Sequence, residues 1–221
     1  KWSREQNIAS EPFSFANSVV IKNAPDPDLF YPSDNFRAVQ SGEKIRLISG
    51  SWSTNPLKGF SLYHQLDEQL DTGRFEYSFV GNVDYPFKNI THVGVLSSAQ
   101  LGEILRKQHI FVFASKKEAC SNSVLEALHC GLPVASINSS SNPELINGGG
   151  LLFEENHVYG AIEQLANNLE FYRSQIIVDD INEVLDSYLR YFESLGDLAD
   201  RPSILERGLS LLNIFKRMVK G

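Results

Sequence analysis

Apolar positions along the chain follow two alternating patterns. Short β-branched and aromatic runs, bounded by polar or turn-forming residues, predict buried strands of a parallel sheet. Between them, leucines and isoleucines recur at helical spacing, with polar residues opposite. The strand-like runs are 19–21, 45–48, 77–80, 93–95, 110–113 and 133–137, and the helical stripes lie in 62–70, 101–105 and 162–169. This alternation predicts an α/β fold with a Rossmann-like, doubly wound parallel sheet.

The two ends of the chain differ from this pattern. After residue 172 the strand pattern stops, and two helices are expected, one over 181–192 and one from Ser203. Turn-forming residues fill 22–33, which indicates a linker. We therefore divide the chain into 1–35, the remnant of a preceding domain plus a linker, 36–172, the Rossmann-like domain, and 173–221, C-terminal helices. The remnant would hold a helix at 1–7 and a strand at 18–22.

Charge and composition narrow the class of partner. The net charge is -7 with a pI near 5.3, so the field of the protein repels phosphate backbones, and nucleic acid is not expected as a partner. No apolar run has the length of a membrane span, so any bilayer contact would be peripheral. Cys120 and Cys130 are interpreted as free thiols in a reducing compartment. No signal peptide is recognised, and we expect a cytoplasmic protein, peripheral at most to the inner membrane face.

The stretch after the 110–113 run carries the first candidate site. A turn at the carboxyl end of a parallel strand is where ligands bind, and the N–H groups of Cys120, Ser121, Asn122 and Ser123 would open a helix there and attract anions. Glu118 and Glu126 bracket this turn, and carboxylates accept hydrogen bonds from sugar or ribose hydroxyls. Two simpler readings stay open: Glu126 as the partner of Ser123 in a capping box, and Glu118 as a solvent-facing acid.

A second candidate follows the 45–48 run. The loop 49–60 is rich in Gly, Ser, Thr and Asn and closes on Lys58-Gly59, so it offers backbone N–H groups and one ammonium to a phosphate. Its spacing does not fit a P-loop. An ordinary surface lysine is the alternative for Lys58. Trp52 is interpreted as a packing residue.

Metal chemistry is not expected. Asp26-Pro27-Asp28 has the Asp-x-Asp pattern of metal-dependent transferases, but its proline-rich setting favours a turn. The five histidines show no ligand spacing. We therefore expect neither a metal nor another cofactor.

Taken together, the motifs resemble the C-terminal domain of GT-B retaining glycosyltransferases of the family 4 type. They occur in that family's order over roughly residues 18–172, and the spacing of the two glutamates before Gly131-Leu132-Pro133-Val134 is their most specific part. The motifs that carry the resemblance are Asn23-Ala24-Pro25-Asp26, Lys58-Gly59-Phe60, Val80-Gly81-Asn82, Ser115-x-x-Glu118, Glu126-Ala127-Leu128 and Gly131-Leu132-Pro133-Val134.

The resemblance implies a role for each residue. Glu118 would contact the hydroxyls of the donor sugar, and Glu126 would bind the nucleotide ribose. The amides of Cys120 to Ser123 would hold the sugar and diphosphate, and Lys58 would neutralise the departing diphosphate without a metal. Relatives often place an arginine where Ser53 stands, and here Asn55 is expected to line the site instead.

The function implied is transfer of a hexose from a UDP-, GDP- or ADP-sugar to a glycan, lipid or other acceptor, with retention of configuration. The acceptor would bind an N-terminal domain of which only the last pieces are recognised, so we expect this chain alone to be inactive. Two other classes stay open: a non-catalytic nucleotide-sugar-binding module, and a sugar-nucleotide epimerase or phosphorylase of the same architecture. Relatives also often have a glycine pair where Ser139 to Pro143 stand, which predicts a differently shaped donor pocket.

Overall fold

Alternating strands and helices build a single sheet in the computed structural model, which describes residues 19–33, 39–40 and 42–194. The strands are β1 Ile45–Ser51, β2 Phe75–Gly81, β3 Thr91–Gly94, β4 Ile110–Phe113, β5 Val134–Ile137 and β6 Gly150–Phe153. Their order in the sheet is β3-β2-β1-β4-β5-β6, and all neighbours are parallel. The predicted Rossmann-like doubly wound sheet is confirmed.

Helices connect the strands and cover the sheet. They are α1 Phe60–Gln69, α2 Ser98–Leu105, α3 Asn122–His129, α4 Asn142–Ile146, α5 Val158–Asn167, α6 Leu169–Ser174 and α7 Ile181–Ser194. The first two predicted stripes become α1 and α2, and the 181–192 pattern becomes α7. The third stripe is split, because Asn168 leaves helical geometry between α5 and α6.

Two apolar layers hold the helices on opposite faces of the sheet. Neighbouring residues of a strand point to opposite faces. Accordingly, Leu47 of β1 packs in the cluster that contains α1 and α5, whereas Ile48 packs in the cluster that contains α2 and α3. Both side chains are fully buried. Strand β1 is therefore anchored from both sides, and the loop that follows it starts from a rigid base.

One strand prediction is wrong, and one strand was missed. Residues 19–22 form no strand, and Val19 and Val20 are about half exposed, because no described strand lies beside them to pair with their backbone. Strand β6 was not predicted, because it begins at the last of three consecutive glycines and only Phe153 of its four residues is buried. The proposed helices at 1–7 and from Ser203 lie outside the described residues, and the domain divisions stay predictions.

The Asp26-Pro27-Asp28 segment forms a turn. The carboxylate Oδ1 of Asp26 accepts a hydrogen bond from the N–H of Asp28 at 2.9 Å, and its carbonyl accepts from the N–H groups of Leu29 and Phe30. Within the described parts of the chain, no cluster of His, Cys, Asp or Glu is arranged to hold a metal ion.

The strand order determines where a ligand can bind. From β1 the chain moves outward to β2 and β3, and the remaining strands continue from β4 in the other direction. The helices after β1 and β4 therefore lie on opposite faces, which leaves a crevice between them at the carboxyl ends of these two strands.

Candidate functional site

A cavity of about 330 Å³ lies at this crevice. The loop after β1, the loop after β4 and the first turns of α3 all contribute to its wall. Most of the predicted site residues line it, namely Lys58, Glu118, Cys120, Ser121, Asn122, Ser123 and Glu126. The structure thus brings together the two candidate sites that the sequence predicted, the loop 49–60 and the stretch after the 110–113 run.

Lys58 is positioned by a tight turn. Pro56–Lys58 forms one turn of 3-10 helix, and the side chain of Asn55 caps it by accepting a hydrogen bond from the N–H of Leu57 at 2.9 Å. Gly59 follows with φ +82°, and a Cβ atom there would lie 2.3 Å from the carbonyl oxygen of Ala114. Only glycine allows this approach. The Lys58 turn therefore rests directly on the end of β4.

Lys58 and Glu118 meet although they lie far apart in sequence. The Lys58 ammonium is 2.6 Å from Oε1 of Glu118, and the Ser115 hydroxyl donates a second hydrogen bond of 2.6 Å to the same oxygen. The other carboxylate oxygen of Glu118 has no hydrogen-bond donor among the described residues. One oxygen is thus held by the protein, while the other is available to hydroxyl groups of a ligand.

Helix α3 begins beside this ion pair. Ser121 is its N-cap residue but makes no side-chain capping bond, and its hydroxyl lies 3.0 Å from that of Ser123 instead. The N–H groups of Asn122 and Ser123 belong to the first turn and have no acceptor within the helix. The free N–H groups and the helix dipole make this end attractive to an anion.

Glu126 stands one turn into α3, and the capping-box interpretation is wrong for it. A capping box joins the N-cap residue to the third residue of the helix, and with Ser121 as N-cap that position is Val124. Glu126 instead lines the cavity, where burial raises the pKa of its carboxyl to about 7. None of the residues in the described ranges pairs with this carboxyl. A desolvated carboxyl without partners in a cleft is typical of a ligand-binding position.

Two residues differ from the sequence interpretation. Asn55 is not part of the cavity wall, because its carboxamide is used to cap the Lys58 turn. Trp52 is not a packing residue, since it lines the cavity and remains 54% exposed. Its place within the candidate loop 49–60 was the signal in the sequence that could have identified it.

Sequence reasoning also missed the part that Ser115 plays. It was noted only as the first residue of the Ser115-x-x-Glu118 motif, yet it is fully buried and binds the Glu118 carboxylate. Cys120 does line the cavity, but burial raises the pKa of its thiol, which disfavours the thiolate that a nucleophile requires.

Comparison with known proteins identifies the family. A model of the family described as glycosyl transferases group 1 matches residues 61–170, about half of the chain. The chain belongs to the group 1 glycosyl transferases. The matched region runs from α1 to α6 and contains Glu118, Glu126 and the start of α3. A search of curated proteins gives no match.

Solved structures share the fold of this group 1 chain. Sucrose-phosphate synthase from Thermosynechococcus elongatus has a TM-score of 0.69 at 15% identity over 89% of this chain and 57% of its own. The pneumococcal O-GlcNAc transferase GtfA, solved with UDP and GlcNAc, has a TM-score of 0.64 at 17% identity, over 87% of this chain and 44% of its own. HepE of Anabaena, solved with UDP and glucose, has a TM-score of 0.56 at 16% identity, over 80% of this chain and 56% of its own. The chain thus spans about half the length of these proteins.

Of the helices in the described ranges, none combines the length and the apolar character needed to cross a bilayer.

Proposed function

We propose that this chain is the donor-binding half of a glycosyltransferase that moves a hexose from a nucleoside-diphosphate sugar to an acceptor hydroxyl. The observation that carries the proposal is the 2.6 Å contact of Lys58 with Glu118 beside the open N-terminus of α3. A cation and free N–H groups suit a diphosphate, and an adjacent carboxylate suits a sugar. Family membership and the UDP complexes of two structural neighbours support the same ligand class.

In the proposed reaction, the bond between the anomeric carbon and the diphosphate oxygen breaks, and the diphosphate leaves with the electron pair. Lys58 and the N–H groups of Asn122 and Ser123 stabilise the growing negative charge without a metal. The acceptor oxygen forms the new bond to the anomeric carbon, and its proton passes to the departing diphosphate. We propose retention of configuration, as the family resemblance implies.

Each carboxylate has a separate part in the proposed donor complex. Oε2 of Glu118 accepts hydrogen bonds from the sugar hydroxyls, while Oε1 stays with Ser115. Glu126 accepts from the ribose hydroxyls, which replace the water that burial removes from it. The amides of Cys120 to Ser123 hold the sugar and the diphosphate between them. Asn55 does not contact the donor but keeps Lys58 in place by capping its turn.

The acceptor, a glycan or a lipid, would be held by a second domain. Because catalysis then needs both domains, we propose that this chain alone binds the donor but transfers little.

Calorimetry tests the donor site directly. We expect the chain to bind one of UDP, GDP or ADP, with UDP tried first, and to bind its glucose or mannose conjugate as well. Lys58→Ala and Glu126→Ala should each weaken nucleotide binding by about tenfold or more. Lys88→Ala is the matched control, since the Lys88 ammonium forms only an exposed pair with Glu68 at 3.9 Å and the substitution keeps its backbone N–H. Binding that neither site variant weakens would contradict the assignment.

Turnover separates this function from its alternatives. In the presence of an acceptor domain, a transferase forms a new glycoside, which a binding module does not, and an epimerase changes the sugar without an acceptor. A product whose anomeric configuration is inverted relative to the donor would refute retention.

A further inference from the structure

The segment between β5 and α4 is fastened to the loop that carries Glu118. Ser139 and Ser140 both donate their hydroxyls to the carbonyl of Lys116, at 2.7 and 2.9 Å, and Ser141 donates to the carbonyl of Glu118 at 3.0 Å. The carboxamide of Asn142 donates to the carbonyl of Ser115 at 3.3 Å. Four consecutive side chains thus bind one short loop. We call residues 139–142 the serine clamp.

The serine clamp is formed at a cost to the local structure. Ser140 has φ +56°, a left-handed conformation that serine rarely adopts. Asn142 is completely buried, and its Oδ1 has no hydrogen-bond partner among the described residues. Neither feature is needed to connect a strand to a helix, since a glycine at position 140 would adopt this φ without strain. The hydrogen bonds to the Glu118 loop offset both costs.

The other side of the same loop is tied to the Lys58 turn. The N–H of Lys116 donates to the carbonyl of Leu57 at 2.9 Å, and the Ser115 hydroxyl lies 3.4 Å from that carbonyl. Backbone 115–118 therefore lies between the Lys58 turn and the serine clamp. With both sides fixed, the Glu118 carboxylate has little freedom to leave Lys58 and Ser115.

From these contacts we propose that the serine clamp is a positioning device for Glu118, and that it controls the affinity for the sugar part of the donor. This inference rests on the proposed function of the cavity. The clamp does not touch the ligand, because its hydroxyl hydrogens are already directed at loop carbonyls. It acts through Glu118, whose free oxygen must be fixed in advance to bind sugar hydroxyls without an entropic cost.

The proposal separates two affinities that a general loss of structure would change together. A bare nucleoside diphosphate contacts Lys58, the start of α3 and Glu126, whereas the sugar adds the contact with Glu118. Without the clamp, the tighter binding that the sugar contributes is lost, and affinity for the bare nucleotide persists.

The test uses the 221-residue chain and calorimetry with three ligand pairs: UDP and UDP-glucose, GDP and GDP-mannose, and ADP and ADP-glucose. The variants are compared on the pair that the unmodified chain binds most tightly. The variant combines Ser139→Ala, Ser140→Gly and Ser141→Ala. We expect the nucleotide-sugar Kd to rise by about tenfold and the nucleotide Kd to change by less than about twofold. Ser140→Gly alone, which also relieves the positive φ, gives the same direction in a chain that keeps its fold.

Matched variants decide how the clamp acts. Ser174→Ala removes a hydroxyl that also donates to a backbone carbonyl, in α6, and leaves both affinities unchanged. Thr instead of Ala at position 139 keeps a hydroxyl there. The combined variant with Ser139→Thr in place of Ser139→Ala therefore recovers part of the sugar affinity. In a chain that already carries Glu118→Ala, removal of the clamp has no further effect on the nucleotide-sugar Kd, because the residue through which it acts is absent.

The outcomes separate failure of this inference from failure of the proposed function. If the unmodified chain binds the nucleotide sugar and the clamp variant loses both affinities equally, or neither, the clamp is purely structural and the inference is overturned. A clamp effect that persists at full size in the Glu118→Ala chain overturns it as well. If the unmodified chain binds none of the six ligands, the proposed function fails, and the inference fails with it.

Discussion

Two carboxylates on the helices show how differently the fold is built at the amino ends and at the carboxyl ends of the strands. Asp67 lies in α1 near the edge where β3 begins, and it is buried. Its oxygens accept hydrogen bonds of 2.7 Å from the N–H groups of Lys88, Asn89 and Ile90. Glu126 lies in α3 at the opposite side, by the carboxyl ends of the strands, and its carboxyl has no partner in the part of the chain that the structure describes.

The pKa values of the two groups follow from this difference. Burial by itself raises the pKa of Asp67, but the N–H groups of Lys88, Ile90 and Asn89 lower it below its ordinary 3.8. For Glu126, burial alone acts and raises the pKa to about 7. Burial acts in the same direction on both carboxyls, and only the N–H donors that the fold supplies to Asp67 reverse its effect. The hydrogen bonds of the Asp67 carboxylate are supplied by the protein itself, whereas those of the Glu126 carboxylate are left for a ligand to supply.

The largest effect is expected from removing Asp67. Asp67→Ala leaves three backbone N–H groups without their acceptor, and the one of Ile90 is buried, so we expect the free energy of unfolding to fall by about 3 kcal/mol. Urea unfolding followed by circular dichroism measures this change. Glu68→Ala, at the exposed neighbouring position, is the control and should change stability little. A loss no larger for Asp67→Ala than for Glu68→Ala would end the contrast between the two carboxylates.

Glu126 should behave in the opposite way. Glu126→Ala removes an unsatisfied carboxyl, so stability should stay the same or increase, while nucleotide affinity falls by about tenfold, roughly 1.4 kcal/mol. Calorimetry and urea unfolding on the same protein measure both quantities. If Glu126→Ala destabilises the chain as much as Asp67→Ala does, Glu126 is a structural residue like Asp67.

The two carboxylates should also give opposite responses to pH. The folded pKa of Asp67 is lowered, so its stabilisation is present above the unfolded pKa and is lost as pH falls through the folded value. The folded pKa of Glu126 is raised from 4.5 to about 7, so its stabilisation is present below about 4.5 and is lost as pH rises toward 7.

Unfolding experiments across pH can isolate the Glu126 contribution. Glu126→Gln should remove the part of the stability decline that falls between these two values. Nucleotide affinity should rise through pH 7 as the carboxylate ionises to accept ribose hydroxyls, and the glutamine variant should lack this rise. A wild-type affinity that is flat across this range would contradict the assignment.

Much of the fold was predictable because burial leaves a local pattern. The 110–113 run is buried at every position and became β4 with the same bounds. The failures occur where neighbours in space decide the structure. The apolar run 19–21 has no described strand to pair with, and β6 is an edge strand in which only Phe153 is buried.

The candidate site was predictable to a different extent. Family resemblance pointed to Lys58 and Glu118, but no periodicity predicts that an ammonium meets a carboxylate 60 positions away. The serine clamp and the acceptor role of Asp67 were not visible either, because their partners are backbone groups of distant segments. Side-chain identity alone does not show where backbone N–H and C=O groups will lie.

The smallest expected effect tests whether the backbone or the side chains support Asp67. Lys88 donates its backbone N–H to Asp67, while its ammonium forms a highly exposed pair with Glu68 at 3.9 Å. Lys88→Ala keeps the N–H and removes only the exposed pair, so we expect the free energy of unfolding to change by less than about 0.5 kcal/mol. Urea unfolding at low and high salt measures it. A loss that approaches that of Asp67→Ala would mean that side-chain charge, rather than the row of N–H groups, holds this edge of the sheet together.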